Sequence, residues 1–208
     1  MKGGALTPSF LCAFFIPQTL TRRPKRGIIP DEVMEMELLD LYDRAGNPLG
    51  KTLERGPGLP KAAEGEYWRV CDVWLVNDSG ELLIQRRALS KPNWPGAWCE
   101  SAGGAIRSGE TPEEGMLRET MEEIGVTPDL DRGGLAFTYT GRTAHHDVWV
   151  FRTDVTLDDL TLQEDEVIDA RWARPEELIQ MATDGTFVRV GYLEQLVRML
   201  PVLTSAYR

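Results

Sequence analysis

From Glu35 onward, apolar positions fall into short runs separated by turn-forming residues, the spacing expected of a mixed α/β domain. Glu37–Tyr42 predicts a first strand, the turn Arg44-Ala45-Gly46-Asn47-Pro48 closes it, and a second short strand should follow. Residues 67–76 are rich in β-branched and aromatic side chains, and Asn77-Asp78-Ser79-Gly80 turns them into Glu81–Arg87, so the pair reads as a hairpin. A loop holding Trp94-Pro95-Gly96-Ala97-Trp98 then leads to Ser101-Ala102-Gly103-Gly104. Later strands are predicted at Leu135–Arg142, Asp147–Val155 and Val167–Trp172, with helices at Pro175–Ala182 and Val190–Leu200.

The most informative helix opens at Thr111. Thr111-Pro112-Glu113-Glu114 has the form of a capping box with proline at the first helical position. At roughly 100° per residue, Met116, Leu117, Thr120, Met121 and Ile124 share an arc of about 140°, while Glu119, Glu122 and Glu123 fall within about 100° elsewhere. One face therefore packs and another gathers carboxylates. Like charges at this spacing repel by a few tenths of a kcal/mol per pair, which a divalent cation would relieve.

Residues 1–33 show no periodic apolar face and read as a flexible extension ahead of a single catalytic domain over 34–208. The apolar run Phe10 to Ile16 is far short of the ~20 residues a bilayer span needs, and the basic cluster Arg22, Arg23, Lys25, Arg26 follows it, the wrong order for a secretory signal. Met34 and Met36, just before the first predicted strand, are candidates for the translation start. A formal charge of -10 argues against a nucleic-acid polymer as partner, and an acidic protein that handles phosphate needs a cation in between. Three cysteines, Cys12, Cys71 and Cys99, without C-x-x-C spacing, fit neither a disulfide framework nor a zinc site, so a cytoplasmic setting is expected, with no membrane partner. Oligomeric state stays open, a homodimer included.

The stretch from Gly104 to Val126 resembles the Nudix box: G, five residues, E, seven residues, then R-E-U-x-E-E-x-G-U, with U bulky and aliphatic. Gly104, Glu110, Arg118, Glu119, Glu122, Glu123 and Gly125 fill all seven fixed positions, and only Thr120 departs, at the first U. With each residue type at a typical ~6 to 9%, a chance match is on the order of one in a million, so three glutamates that alone would be ordinary in an acidic protein stand out. The resemblance implies a Nudix-type α/β (α+β) fold, a mixed sheet sandwiched between helices. It further implies that Glu119, Glu122, Glu123 and the Gly104 carbonyl hold magnesium, or manganese in its place. Arg118 would pair with Glu110 as structural support. Gly103 and Gly104 would admit the substrate's phosphates, Glu119 and Glu122 would act in catalysis, and from Gln163-Glu164-Asp165-Glu166 the choice for a catalytic base is Glu166. The pair His145-His146 is left outside the site.

Beyond the box, Trp94–Trp98 and Asp165–Trp172 look like segments of isopentenyl-diphosphate isomerases and their hydrolase-like relatives. That isomerase family carries a cysteine and a metal-binding histidine where this chain, aligned through Trp98 and Glu110, has Gly103 and Ala105, and Cys99 is displaced by four residues. The expected activity is therefore hydrolysis of a diphosphate linkage in a small-molecule, nucleoside diphosphate-like substrate. An isomerase-like enzyme and a non-catalytic nucleotide-sensing module are the competing readings. Nucleotide sugars, coenzymes and prenyl diphosphates stay open as substrates.

Overall fold

The computed structural model describes residues 37–56 and 58–205, so the extension expected over 1–33 lies outside the described residues. Nine strands and three helices follow in the order β1 (Leu38–Tyr42), β2 (Pro48–Glu54), β3 (Trp68–Val76), β4 (Leu82–Arg87), β5 (Trp98–Cys99), β6 (Ala102–Ala105), α1 (Pro112–Ile124), β7 (Gly133–Thr140), β8 (Ala144–Arg152), β9 (Val167–Ala173), α2 (Pro175–Asp184) and α3 (Leu193–Ser205). Strand β3 runs parallel to β8 and antiparallel to β6, β7 flanks β8, and β4 carries β5 and β9. The β1–β2 hairpin forms its own small sheet, tied to the main one where Tyr42 and Tyr67 exchange backbone hydrogen bonds of 2.7 and 2.9 Å. It is also held by Leu39 and Leu41 packing with Trp68, Ala105 and Ala144.

The central strands are apolar on both faces because both faces are covered. Cys71, Val73, Leu75, Trp149 and Phe151 pack with Met116 and Ile124 of α1, whereas Trp74, Val76, Val148 and Val150 pack with Leu178 of α2 and Leu196 of α3. The expected mixed sheet between helices is thus present. Met121, placed on the packing arc of α1, is 49% exposed, because α1 leans on the sheet with its Met116, Thr120 and Ile124 edge.

Two expectations need correction, and one unassigned stretch gains a strand. The hairpin of 67–76 with 81–87 pairs only at its root, Val76 with Leu82, and then splays. Ser101 fills the gap: its hydroxyl donates to the Leu83 carbonyl (2.6 Å) and accepts from the Leu75 N–H (2.9 Å). Gly103 and Gly104, assigned to no element in the sequence, lie in β6, opposite Asp72 and Cys71 of β3. Helix α3 runs through Pro201 to Ser205 rather than stopping at Leu200, since the proline ring sits on the exposed side and Leu203 still reaches the core.

Candidate active site

Helix α1 begins where the sequence puts it. The Thr111 hydroxyl accepts from the Glu114 N–H at 3.2 Å while the Glu114 carboxylate accepts from the Thr111 N–H at 2.8 Å, a reciprocal cap worth about 1 kcal/mol. At Gly125 the chain turns left-handed with φ 72°, and the last carbonyls of the helix find partners in a distant loop. Thr161 N–H donates to Ile124 O and Gln163 N–H donates to Glu123 O, both at 3.0 Å. Satisfying that helix end is what brings Glu166 beside α1.

The carboxylate face of α1 lies against β6, where the absence of side chains lets it come close. A Cβ on Gly104 would stand 2.2 to 2.5 Å from the carboxyl atoms of Glu119, so only glycine leaves that carboxylate its place. Glu123 is 6% exposed and accepts from Gln85 Nε2 (2.7 Å) and from the Gly103 N–H (3.0 Å), which is therefore occupied. Glu119 is also buried, and only Glu122 faces solvent. The Gly104 carbonyl, opposite Cys71 in the ladder, also receives a long contact from the Cys71 thiol at 3.6 Å. Thr120, the departure at the aliphatic position, is fully buried with its hydroxyl bonded to Met116 O at 2.8 Å.

Arg118 grips Glu110 with two hydrogen bonds of 2.7 and 2.9 Å and donates to the Ala105 carbonyl at 3.1 Å, tying α1 to the chain before it. Its remaining nitrogen reaches Glu119 (2.8 Å) and Glu122 (3.2 Å). Glu119, Glu122 and Glu123 border a groove of about 520 Å³ that also takes in Lys91, Arg107, Gly103, Gly104 and Glu166, so every residue selected from sequence for catalysis, metal or substrate lines one space. Glu166 forms an ion pair with Lys91 there.

Burial first, then the neighbouring Glu119 charge, pushes the Glu123 carboxyl up to about 8, and burial raises Glu119 against the pull of Arg118. Among the described residues no three acidic, histidine or cysteine side chains converge as a ready cluster, and Arg118 holds the Glu119 and Glu122 oxygens. The donor set nevertheless fits a hard divalent cation. It offers only oxygens, two of the carboxylates are held in low dielectric at a cost that a cation would offset, and glycine keeps the backbone beside them open.

A stability consequence follows for metal-free protein. Between the ordinary glutamate value of 4.5 and about 8, folded Glu123 keeps a proton that the unfolded chain has released. The folded state is therefore favoured below that window and loses this advantage as pH rises through it. With a chelator present, melting temperature should fall from about pH 5 to pH 9, and Glu123→Gln should flatten the decline. Equal slopes in both proteins would show that Glu123 is ionised in the folded state throughout.

A second cavity of about 530 Å³ adjoins the groove across Gly103 and Gly104. It holds what the sequence reading missed: His146 donates toward Asp72 (Nδ1 to Oδ2, 2.9 Å), with Glu100 and Tyr192 alongside. Burial works against the imidazolium, yet the Asp72 carboxylate raises the His146 pKa overall. Burial and then Asp72 push Glu100 up to about 7. His145 points away, bonded to Thr140 (3.1 Å) and the Asp43 carbonyl (2.8 Å). Alternation along β8 separates the two histidines, a signal legible only once the strand and its register are known.

The NUDIX domain profile matches residues 66–196, spanning the main sheet, α1 and most of the lining of both cavities. The chain belongs to the Nudix family. An uncharacterised Nudix hydrolase of Listeria monocytogenes is 39% identical over 79% of this chain and 95% of its own length. An isopentenyl-diphosphate Delta-isomerase of Corynebacterium diphtheriae is 32% identical over 74% of this chain and 87% of its own. A crystal structure from Deinococcus radiodurans, 30% identical, superposes with a TM-score of 0.64 over 78% of this chain and 98% of that one. This Nudix protein thus sits in the branch whose relatives include both hydrolases and isomerases, as its Trp94–Trp98 and Asp165–Trp172 segments imply. No helix among the described residues is long and apolar enough to cross a membrane.

Proposed function

We propose that this Nudix hydrolase cleaves a diphosphate linkage in a small-molecule, nucleoside diphosphate-like substrate with the help of a divalent cation, magnesium or manganese. The observation that carries the reading is the convergence of Glu119, Glu122, Glu123, Gly104 and Glu166 on one groove that Lys91 and Arg107 also enter. Glu119, Glu122, Glu123 and the Gly104 carbonyl would hold the cation. When bound it supplies charge neutralisation at the diphosphate oxygens and at the leaving phosphate. Lys91 and Arg107 add positive charge to the wall and orient the phosphates. Glu166, held in place by its ion pair with Lys91, accepts the proton of the attacking water. Arg118, locked onto Glu110 and Ala105 O, fixes the helix relative to β6.

The isomerase reading rests on relatives such as the Corynebacterium enzyme and on the Trp94–Trp98 and Asp165–Trp172 segments, and the site residues of this chain speak against it. Gly103 and Ala105 carry no titratable group, and a Cβ on Gly103 would lie 2.8 Å from the Cys71 carbonyl, so even a cysteine there would need the strands to shift. Cys99 is 2% exposed with its thiol pushed up by burial, which leaves it unable to trade protons with substrate. Incubated with isopentenyl diphosphate and magnesium, the protein should form no dimethylallyl diphosphate, and Cys99→Ser should retain diphosphate hydrolysis. Isomerised product that disappears on changing Cys99 would establish the isomerase instead.

A further inference from the structure

The second cavity contains a polar cluster that the hydrolytic step does not use. His146 lies with its Nδ1 fixed on Asp72, leaving Nε2 as the ring nitrogen free to meet a ligand, and its side chain is 29% exposed. Around it, Tyr139 and Tyr192 hold the ring at centroid distances of 6.1 and 6.2 Å, which sets its orientation. Beneath it, Asp72 is 5% exposed, and Glu100 Oε2 and the Tyr192 hydroxyl are shut off from solvent without a hydrogen-bond partner. Trp68 and Trp94 supply apolar walls, and Trp94 sits at φ 49°, a strained conformation for a bulky residue. The cavity shares Gly103 and Gly104 as a common wall with the carboxylate groove.

We infer that this cavity receives the organic group attached to the diphosphate, that the group is polar, bearing hydroxyl or amino hydrogens, and that His146 is a specificity-determining residue that binds it. The inference rests on the diphosphatase reading and deepens it. An alkyl chain filling the cavity would strip water from His146 and from the half-buried Glu100 and return no hydrogen bond, the kind of mismatch by which polar sites reject apolar analogues. A sugar or nucleobase restores those bonds while its ring faces the tryptophans. Asp72 makes the arrangement directional, because with Nδ1 anchored only Nε2 faces the ligand.

The test measures binding by calorimetry and turnover with magnesium for adenosine diphosphate and for isopentenyl and geranyl diphosphates, in wild type, His146→Leu and His146→Gln. Wild type should bind the nucleoside diphosphate at least about tenfold more tightly than either prenyl compound. His146→Leu should raise KM for the nucleoside diphosphate about tenfold with kcat within threefold and should improve prenyl binding, while His146→Gln restores part of the loss. This change of preference is a readout that mere loss of packing would not give. Purine-riboside diphosphate, lacking the amino group, and the 2′,3′-dideoxy analogue, lacking hydroxyls, distinguish which hydrogens are read. Equal or tighter prenyl binding, or an unchanged preference in His146→Leu, overturns the inference. Absence of hydrolysis with any compound would refute the diphosphatase reading, while the binding preferences still decide the inference.

Discussion

Replacing Glu122 with glutamine is expected to lower turnover at least about 100-fold while shifting stability by no more than about 0.5 kcal/mol. The side chain of Glu122 is 44% exposed, so its loss leaves no cavity and no unpaired buried group. What disappears is one negative charge from the face that would hold the cation, and losing a ligand should cost at least the ~10- to 100-fold typical of losing a supporting partner. Glu123→Gln should be as inactive for the same reason, yet with a chelator at pH 8 it should melt higher than wild type, because a buried carboxyl poised to ionise has been replaced by a neutral amide. Turnover and melting would thus separate the two glutamates. Near-normal kcat in either variant at saturating magnesium would remove this helix face from the chemistry.

The second large effect is expected at a residue with no side chain. In Gly104→Ala the new methyl would need the space within 2.2 to 2.5 Å of the Glu119 carboxyl. That carboxylate cannot simply swing aside, since Arg118 holds it at 2.8 Å and Arg118 is itself fixed by Glu110 and Ala105. Either Glu119 leaves the groove or α1 moves off β6. Both outcomes should reduce kcat by about 100-fold or more, comparable to losing Glu119 itself. Thermal melting should drop by only the ~1 to 3 kcal/mol typical of overpacking. Turnover within a few-fold of wild type would mean that the close approach of Glu119 to β6 has no part in activity.

How much of this was legible in sequence depended on how local its causes are. The capping box at Thr111, the left-handed stop at Gly125 and the carboxylate spacing are set within one helix, and α1 forms as predicted. The run from Tyr67 to Val76 announces a strand, but its alternation cannot say which partners it takes. Strand β3 leaves β4 after one pair and aligns with β8, 76 positions on at Trp68 and Ala144, a pairing fixed by tertiary packing. Gly103 and Gly104 announce no strand because glycine lacks strand propensity, while in the fold they form a strand that the α1 carboxylates approach closely. A helical wheel gathers the carboxylates on one face apart from the packing face but knows nothing of that approach, and Glu119 and Glu123 prove to be buried. His146 was set aside as incidental, since its pairing with Asp72 joins residues 74 positions apart.

The most direct test of the account is hydrolysis itself, followed by quantifying both products from a set of diphosphate compounds, with magnesium titrated from chelated to saturating, in wild type and Glu122→Gln. The account predicts cleavage between the two phosphorus atoms that is absent under chelation, restored by magnesium, and reduced at least about 100-fold in the variant. Cleavage that persists without a divalent cation, or that Glu122→Gln leaves intact, would contradict it.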